Sequence, residues 1–206
     1  MKKIKSNLDV VFVIDKSGSM SGNEDNTISS FNEYLERESN NNYKANVTTL
    51  FFNDTYEYLY RRSDIKKIKK MKKSEYVVGG CTALYDALGN SISYMDECNT
   101  DKVMFIIITD GYENASKKYD SSKIKKLIKN HKDWEFIYIG ADIDSYASGG
   151  TIGIKKDNIA NFKKDSKGTS ILFKSVSNFQ ESMMSDCECC GTAWKEDLDN
   201  YIKDNI

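Results

Sequence analysis

The sequence predicts an α/β fold: a doubly wound, mainly parallel sheet with one antiparallel edge strand and helices on both faces. Three observations carry this. Continuous apolar runs recur at Leu8–Ile14, Lys102–Thr109 and Trp134–Ile139, and such runs mark strands buried on both faces. Segments of helical period separate them. One pair of adjacent β-rich runs is joined by a two-residue turn signal, Asn53-Asp54, which makes the second of them antiparallel.

Taken in order, Leu8-Asp-Val-Val-Phe-Val-Ile14 is the first strand, and Ile28, Phe31, Tyr34 and Leu35 recur at helical spacing after it. Asn46–Phe52 and Thr55–Tyr60 form the hairpin. Gly79-Gly80 breaks the chain, and Ala83, Leu84, Ala87, Leu88, Ile92 and Met95 open a helix. After the strand at 102–109, Ile124, Leu127 and Ile128 mark a helix. The strand at 134–139 is followed by a short helix around Tyr146, a last strand over Asn158–Phe162 and a closing helix through Ile171, Phe173, Val176, Phe179 and Met183. Strands alternating with helices imply a parallel sheet wrapped by those helices. The organisation reads as one domain over residues 1–185. An appendage over 186–206 holds Cys187, Cys189, Cys190 and a short amphipathic helix with Trp194, Leu198, Tyr201 and Ile202.

Composition excludes several classes. With 39% hydrophobic residues in 206, the chain can bury a core without staples. The 30 Lys and Arg against 31 Asp and Glu lack the basic excess of a duplex-binding protein, so nucleic acid is not the expected partner. No apolar run reaches the 18 or so residues of a membrane span. Lys2, Lys3 and Lys5 resemble the start of a secretion signal, but Asp9 and Asp15 interrupt the apolar stretch that follows and no small-residue cleavage site appears, so it reads as a strand. Five Cys are too few for a disulfide framework; reduced thiols and a cytoplasmic location are the expectation.

The chemistry concentrates at strand ends. Strand one closes in Asp15-Lys16-Ser17-Gly18-Ser19, strand four in Thr109-Asp110-Gly111, and Gly79-Gly80-Cys81-Thr82 begins a helix between them. In doubly wound sheets ligands bind beyond the carboxyl ends of strands where the strand order reverses. If the two buried strands flank that reversal, Asp15 and Asp110 share one crevice with Ser17, Ser19 and Thr82 on its rim. Two carboxylates and three alcohols with no His or thiolate cluster form a hard-oxygen set, suited to Mg²⁺, Mn²⁺ or Ca²⁺. Neutral hydroxyl ligands leave such an ion electrophilic and open to an outside carboxylate.

These residues resemble the metal-ion-dependent adhesion site (MIDAS) of von Willebrand factor type A (vWA) domains, over about residues 8–180. The stretches Phe12–Met20, Gly79–Ala87 and Ile108–Asn114 are similar to intracellular bacterial members. The resemblance implies a Rossmann-like sheet of six strands and a binding module rather than an enzyme. It implies that Ser17, Ser19 and Thr82 coordinate the metal directly, while Asp15 and Asp110 act largely through waters and hydroxyl hydrogen bonds. It further implies a protein partner presenting Asp or Glu to the ion, with AAA+ ATPases and stress or metal-resistance complexes as settings. Cys81 departs mildly from the pattern, where Gly or Ser is commoner.

Blander readings stand beside these. Asp15, Ser17, Ser19 and Thr82 are types that cap helices. Glu113 and Cys81 are candidate rim residues, but Glu113 reads better as a solvated loop acid and Cys81 as a buried inert thiol. Asp142 and Asp144 read as helix caps. The run Arg61–Lys73, with eight basic residues and Ile65, Ile68 and Met71 at every third position, reads as an amphipathic surface helix; Lys117–Lys132 reads the same way. Cys187, Cys189 and Cys190 read as unpaired thiols, with His131 the only imidazole. The alternative function is a Mg²⁺-dependent hydrolase or phosphotransferase using Asp15. Against it stand the Ser at position 17, where a second Asp is wanted, and the lack of a P-loop or a Ser–His dyad.

Overall fold

The computed structural model describes residues 7–98, 100, 102–185 and 191–205. Six strands form one sheet: β1 (Leu8–Asp15), β2 (Ala45–Phe52), β3 (Tyr56–Asp64), β4 (Lys102–Thr109), β5 (Trp134–Gly140) and β6 (Ile159–Asn161). Their spatial order is β3-β2-β1-β4-β5-β6. All pairings are parallel except β2 with β3. The helices are α1 (Glu24–Ser39), α2 (Leu84–Asp96), α3 (Ser121–Asn130), α4 (Ser145–Thr151), α5 (Ser166–Met184) and α6 (Glu196–Lys203). The predicted doubly wound, mainly parallel sheet with an antiparallel edge is the observed fold. The chain winds one way from β1 to β2 and the other way from β4 to β6, so the order reverses between β1 and β4.

Strand alternation divides the core. Leu8, Val10, Phe12 and Ile14 pack against Ile28, Phe31, Tyr34 and Leu35 of α1 and Leu172, Phe173, Val176 and Phe179 of α5. Val11 and Val13 face Leu84, Leu88 and Ile92 of α2 and Ile124 of α3. Phe12 sits edge-on to Phe31 and Tyr34 at 5.1 and 5.0 Å, contacts worth about 1 kcal/mol each beyond area burial. Trp194 and Leu198, expected on an appendage, pack into the larger core. Cys187, Cys189 and Cys190 lie outside the described residues.

The run Arg61–Lys73 is not a helix. Strand β3 continues through Asp64, a turn follows, and an extended strap crosses α1. The side chain of Asn32 clamps it: Asn32 Nδ2 donates to Met71 O at 3.0 Å and Met71 N donates to Asn32 Oδ1 at 2.7 Å. Ile65 and Met71 are buried; their spacing arises from a turn followed by irregular chain, which the sequence pattern alone does not distinguish from a helix. His131 ends α3 and stacks on Trp134 with ring centroids 3.9 Å apart.

Candidate metal centre

The loops after β1 and β4, with the segment before α2, meet at the strand-order reversal. The segment before α2 is stitched to the β1 loop by backbone: Gly18 N–H donates to Gly80 O at 3.0 Å, and Gly79 N–H to Lys16 O at 2.8 Å. Gly80 is required there. Its φ is +84°, and a Cβ would stand 1.9 Å from Asp54 Oδ2. A single 3₁₀ turn over Gly18–Met20 swings Ser17 and Ser19 to one side, with their hydroxyl oxygens 3.0 Å apart.

The aspartates follow from register. Ile14 pairs with Ile108, so Asp15 and Thr109 end adjacent strands side by side. Thr109 Oγ1 donates to Asp15 Oδ2 at 2.6 Å, and Ser17 N–H donates to Asp15 Oδ1 at 2.6 Å. Ser19 Oγ donates to Asp110 Oδ1 at 2.5 Å. One hydrogen-bonded chain therefore runs through Ser17, Ser19 and Asp110, with Asp15 at its foot. Thr82 joins from the third segment. A Cβ on Gly111 would lie 2.8 Å from Thr82 Oγ1 and 3.5 Å from Ser19 Oγ, so both hydroxyls border the same small space, which only a glycine at 111 leaves open.

Thr82 is held from the β4 side. Thr82 N–H donates to Asn114 Oδ1 at 2.9 Å, and Asn114 N–H returns to Thr82 O at 3.0 Å. Helix α2 has no cap of its own, so its first free N–H groups go to the same loop. Tyr85 N donates to Glu113 Oε2 at 2.8 Å and Asp86 N to Ser116 Oγ at 3.0 Å. Glu113, read from sequence as a solvated acid, is instead half-buried; Ala115 and Ser116 N–H fill its other oxygen at 2.9 and 2.7 Å.

Burial of Asp15, 0% exposed, pushes its carboxyl above the usual carboxylate range, and the neighbouring Asp110 charge adds to the rise; hydrogen bonds from Ser17 and Thr109 act against it. A cation in the crevice would relieve both effects. The donor set is all oxygen, which fits a hard divalent ion. Among the described residues no three of His, Cys, Asp and Glu gather into a metal cluster; here only two of the five donors are carboxylates, and the rest are alcohols.

Two expectations change at the rim. Cys81 is exposed, not buried, and the Asp54 carboxylate beside it pushes its thiol pKa up, which suppresses the reactive thiolate. Asp144 caps α4 as expected, accepting from Ala147 N at 2.9 Å. Asp142 does not cap; it turns to Lys164, 3.1 Å away. Lys164 was absent from the sequence reading, and Thr109 stood there only as part of Thr109-Asp110-Gly111, with no role of its own. Their signal was positional only: Thr109 is the last residue of a buried strand, and Lys164 lies just beyond the carboxyl end of β6.

The fold and the crevice define the class: a doubly wound α/β domain carrying a cage of alcohols and carboxylates where its strand order reverses. The chain belongs to the von Willebrand factor type A domain family, whose sequence model matches residues 9–183. A comparison with curated proteins finds no match. Among solved structures it is similar to proximal thread matrix protein 1 from the mussel byssus with a zinc-occupied MIDAS motif, with 16% identity, a TM-score of 0.62, and coverage of 84% of this chain and 45% of that one. A von Willebrand factor type A protein from Catenulispora acidiphila gives 14% identity and a TM-score of 0.63 over 84% of this chain and 42% of that one. The PilB minor pilin from Streptococcus sanguinis gives 13% and 0.65 over 90% and 63%. The chain thus spans less than half the length of the mussel and Catenulispora proteins, and at these identities the likeness is one of fold. Among the described residues no helix is long and apolar enough to cross a membrane.

Proposed function

We propose that this domain is a metal-dependent protein-binding module, in which the Ser17, Ser19 and Thr82 hydroxyls hold a divalent cation, with Asp15 and Asp110 supporting them. Mg²⁺ is the first choice, and Mn²⁺ and Ca²⁺ suit the same oxygens. The ion supplies an electrophilic position for an Asp or Glu side chain of a partner protein. One observation carries the reading: oxygen donors from three separate segments converge around a buried, unneutralised Asp15 in the crevice where doubly wound folds bind ligands. That a mussel protein of the same fold has a zinc-occupied MIDAS motif supports a divalent ion here. A hydrolase with Asp15 as nucleophile is disfavoured, because that carboxylate is fully buried with both oxygens engaged.

The test is direct. Wild-type protein is expected to bind Mn²⁺ in titrations followed by the free-ion EPR signal, and Mg²⁺ to displace it. Asp15→Ala and Ser17→Ala are each expected to weaken Mn²⁺ binding about 100-fold or more while circular dichroism stays native. Mn²⁺ affinity unchanged in both variants would refute the assignment, as would partner capture that survives EDTA.

A further inference from the structure

Lys164 lies between β6 and α5, and its ammonium reaches the crevice at Asp110. It stands 2.7 Å from Asp110 Oδ2 and 3.1 Å from each of Ser19 O and Asp142 Oδ2. The Asp110 side chain is 0% exposed and that of Lys164 only 23%, so solvent screens this pair poorly. The contact is built rather than incidental. Phe162, two residues earlier, is buried and donates its N–H to Gly140 O at 2.8 Å. Asp165, the next residue, caps α5 by accepting from Gly168 N at 2.7 Å and from Tyr201 Oη at 3.1 Å. The chain on either side of Lys164 is therefore anchored, and three oxygens hold its ammonium at the crevice.

We propose that Lys164 is a built-in counter-cation that makes the site take up a divalent ion and an anionic carboxylate together rather than the ion alone. The inference rests on the metal-binding reading above. Asp15 and Asp110, both shut away from solvent, already balance a divalent ion. Asp142 also faces Lys164 but its side chain is 68% exposed, so water screens its charge. With the ammonium held against Asp110, the buried part of the loaded crevice carries one positive charge too many, and one carboxylate from a partner removes it. An ion arriving alone has to share Asp110 with a like charge. An ion arriving with a carboxylate meets a neutral arrangement, so each strengthens binding of the other, as linkage requires. Lys164 would thereby select anionic over neutral oxygen ligands.

The experiment uses Mn²⁺ and acetate as probes on the full chain, with free Mn²⁺ followed by EPR. Lys164→Gln is expected to bind Mn²⁺ alone at least about tenfold tighter than wild type, because even full aqueous screening leaves a repulsion of about that size between an ammonium and a divalent ion several ångströms apart. Lys164→Arg keeps the charge and is expected to stay near wild type. Acetate at tens of millimolar is expected to raise Mn²⁺ affinity several-fold in wild type and less in Lys164→Gln, with sodium chloride at matched ionic strength as the control. Equal or weaker Mn²⁺ binding by folded Lys164→Gln, or an acetate effect the same in both proteins, overturns the role of Lys164 and leaves the metal site standing. No Mn²⁺ binding by either folded protein overturns both. If Lys164→Gln does not fold, the wild-type response to acetate decides: no rise beyond the chloride control overturns the proposal.

Discussion

Asp9 and Asp15 sit on the same strand, on the same face and both out of solvent, yet the fold treats them oppositely. Asp9, at the start of β1, is gripped by a guanidinium: Arg62 Nε lies 2.9 Å from one oxygen and Arg62 Nη2 3.3 Å from the other, with Asn46 Nδ2 adding a bond at 3.2 Å. Asp15, at the end of β1, meets an amide N–H and a hydroxyl, and no cation pairs with it among the described residues. Arg62 is aimed by a break in the β2–β3 register, where its φ is +43° and its N–H turns to Thr48 Oγ1 at 3.0 Å; irregularities of this kind re-aim side chains. Arg62 closes Asp9 into a structural ion pair. Asp15 has only neutral partners among the described residues, so its own charge is left without a direct counter-ion.

Three variants break or sharpen that contrast. Arg62→Ala strands Asp9 as a buried charge and is expected to cost about 3 kcal/mol, a fall in Tm of roughly 6–12 °C for a domain of this size, read by calorimetry. Its Mn²⁺ affinity is expected to hold; a loss there would show that the two ends of β1 are not independent.

Gly111→Ala places a methyl 2.8 Å from Thr82 Oγ1. The hydroxyl has to shift, with an expected loss of about 1–2 kcal/mol in stability from overpacking and about tenfold in Mn²⁺ affinity. Unchanged affinity would mean that Thr82 is not a ligand.

The smallest effect has a sign that depends on pH. Because the carboxyl of Asp15 ionises at higher pH in the fold than in the unfolded chain, ionisation weakens the fold as pH rises past the ordinary value of about 4. The penalty is complete above the raised value and vanishes in acid. Asp15→Asn removes it, and Thr109 Oγ1 has a second acceptor, Gly111 O at 3.1 Å. In EDTA the variant is therefore expected to match wild type near pH 3.5 and to melt slightly higher at pH 7. A variant less stable than wild type at pH 7 would place Asp15 with Asp9 as a structural acid.

Much of the crevice was legible beforehand because its donors lie at strand ends. Asp15 directly follows the apolar run Val10–Ile14, and Asp110 comes one residue after the run Val103–Ile108, so burial and position were both implied. Lys164 was not legible. It is one of two adjacent lysines after a three-residue strand, and only the pairing of β5 with β6 carries it to Asp110. Nor was the strap at 65–72, since its apolar residues repeat every third position while the Asn32 clamp that holds it comes from a helix more than thirty residues earlier.

By itself the sequence determined most of the strands and helices, the strap after β3 excepted, which face of them is apolar, and that oxygen donors end the two central strands. Those properties are encoded locally, in periods of two and of three to four and in residue type. Tertiary structure alone decided which acid is closed by Arg62, which keeps only neutral partners, and that a lysine stands at the crevice. Those outcomes depend on strand register and on loop contacts between residues tens of positions apart, which no local pattern records.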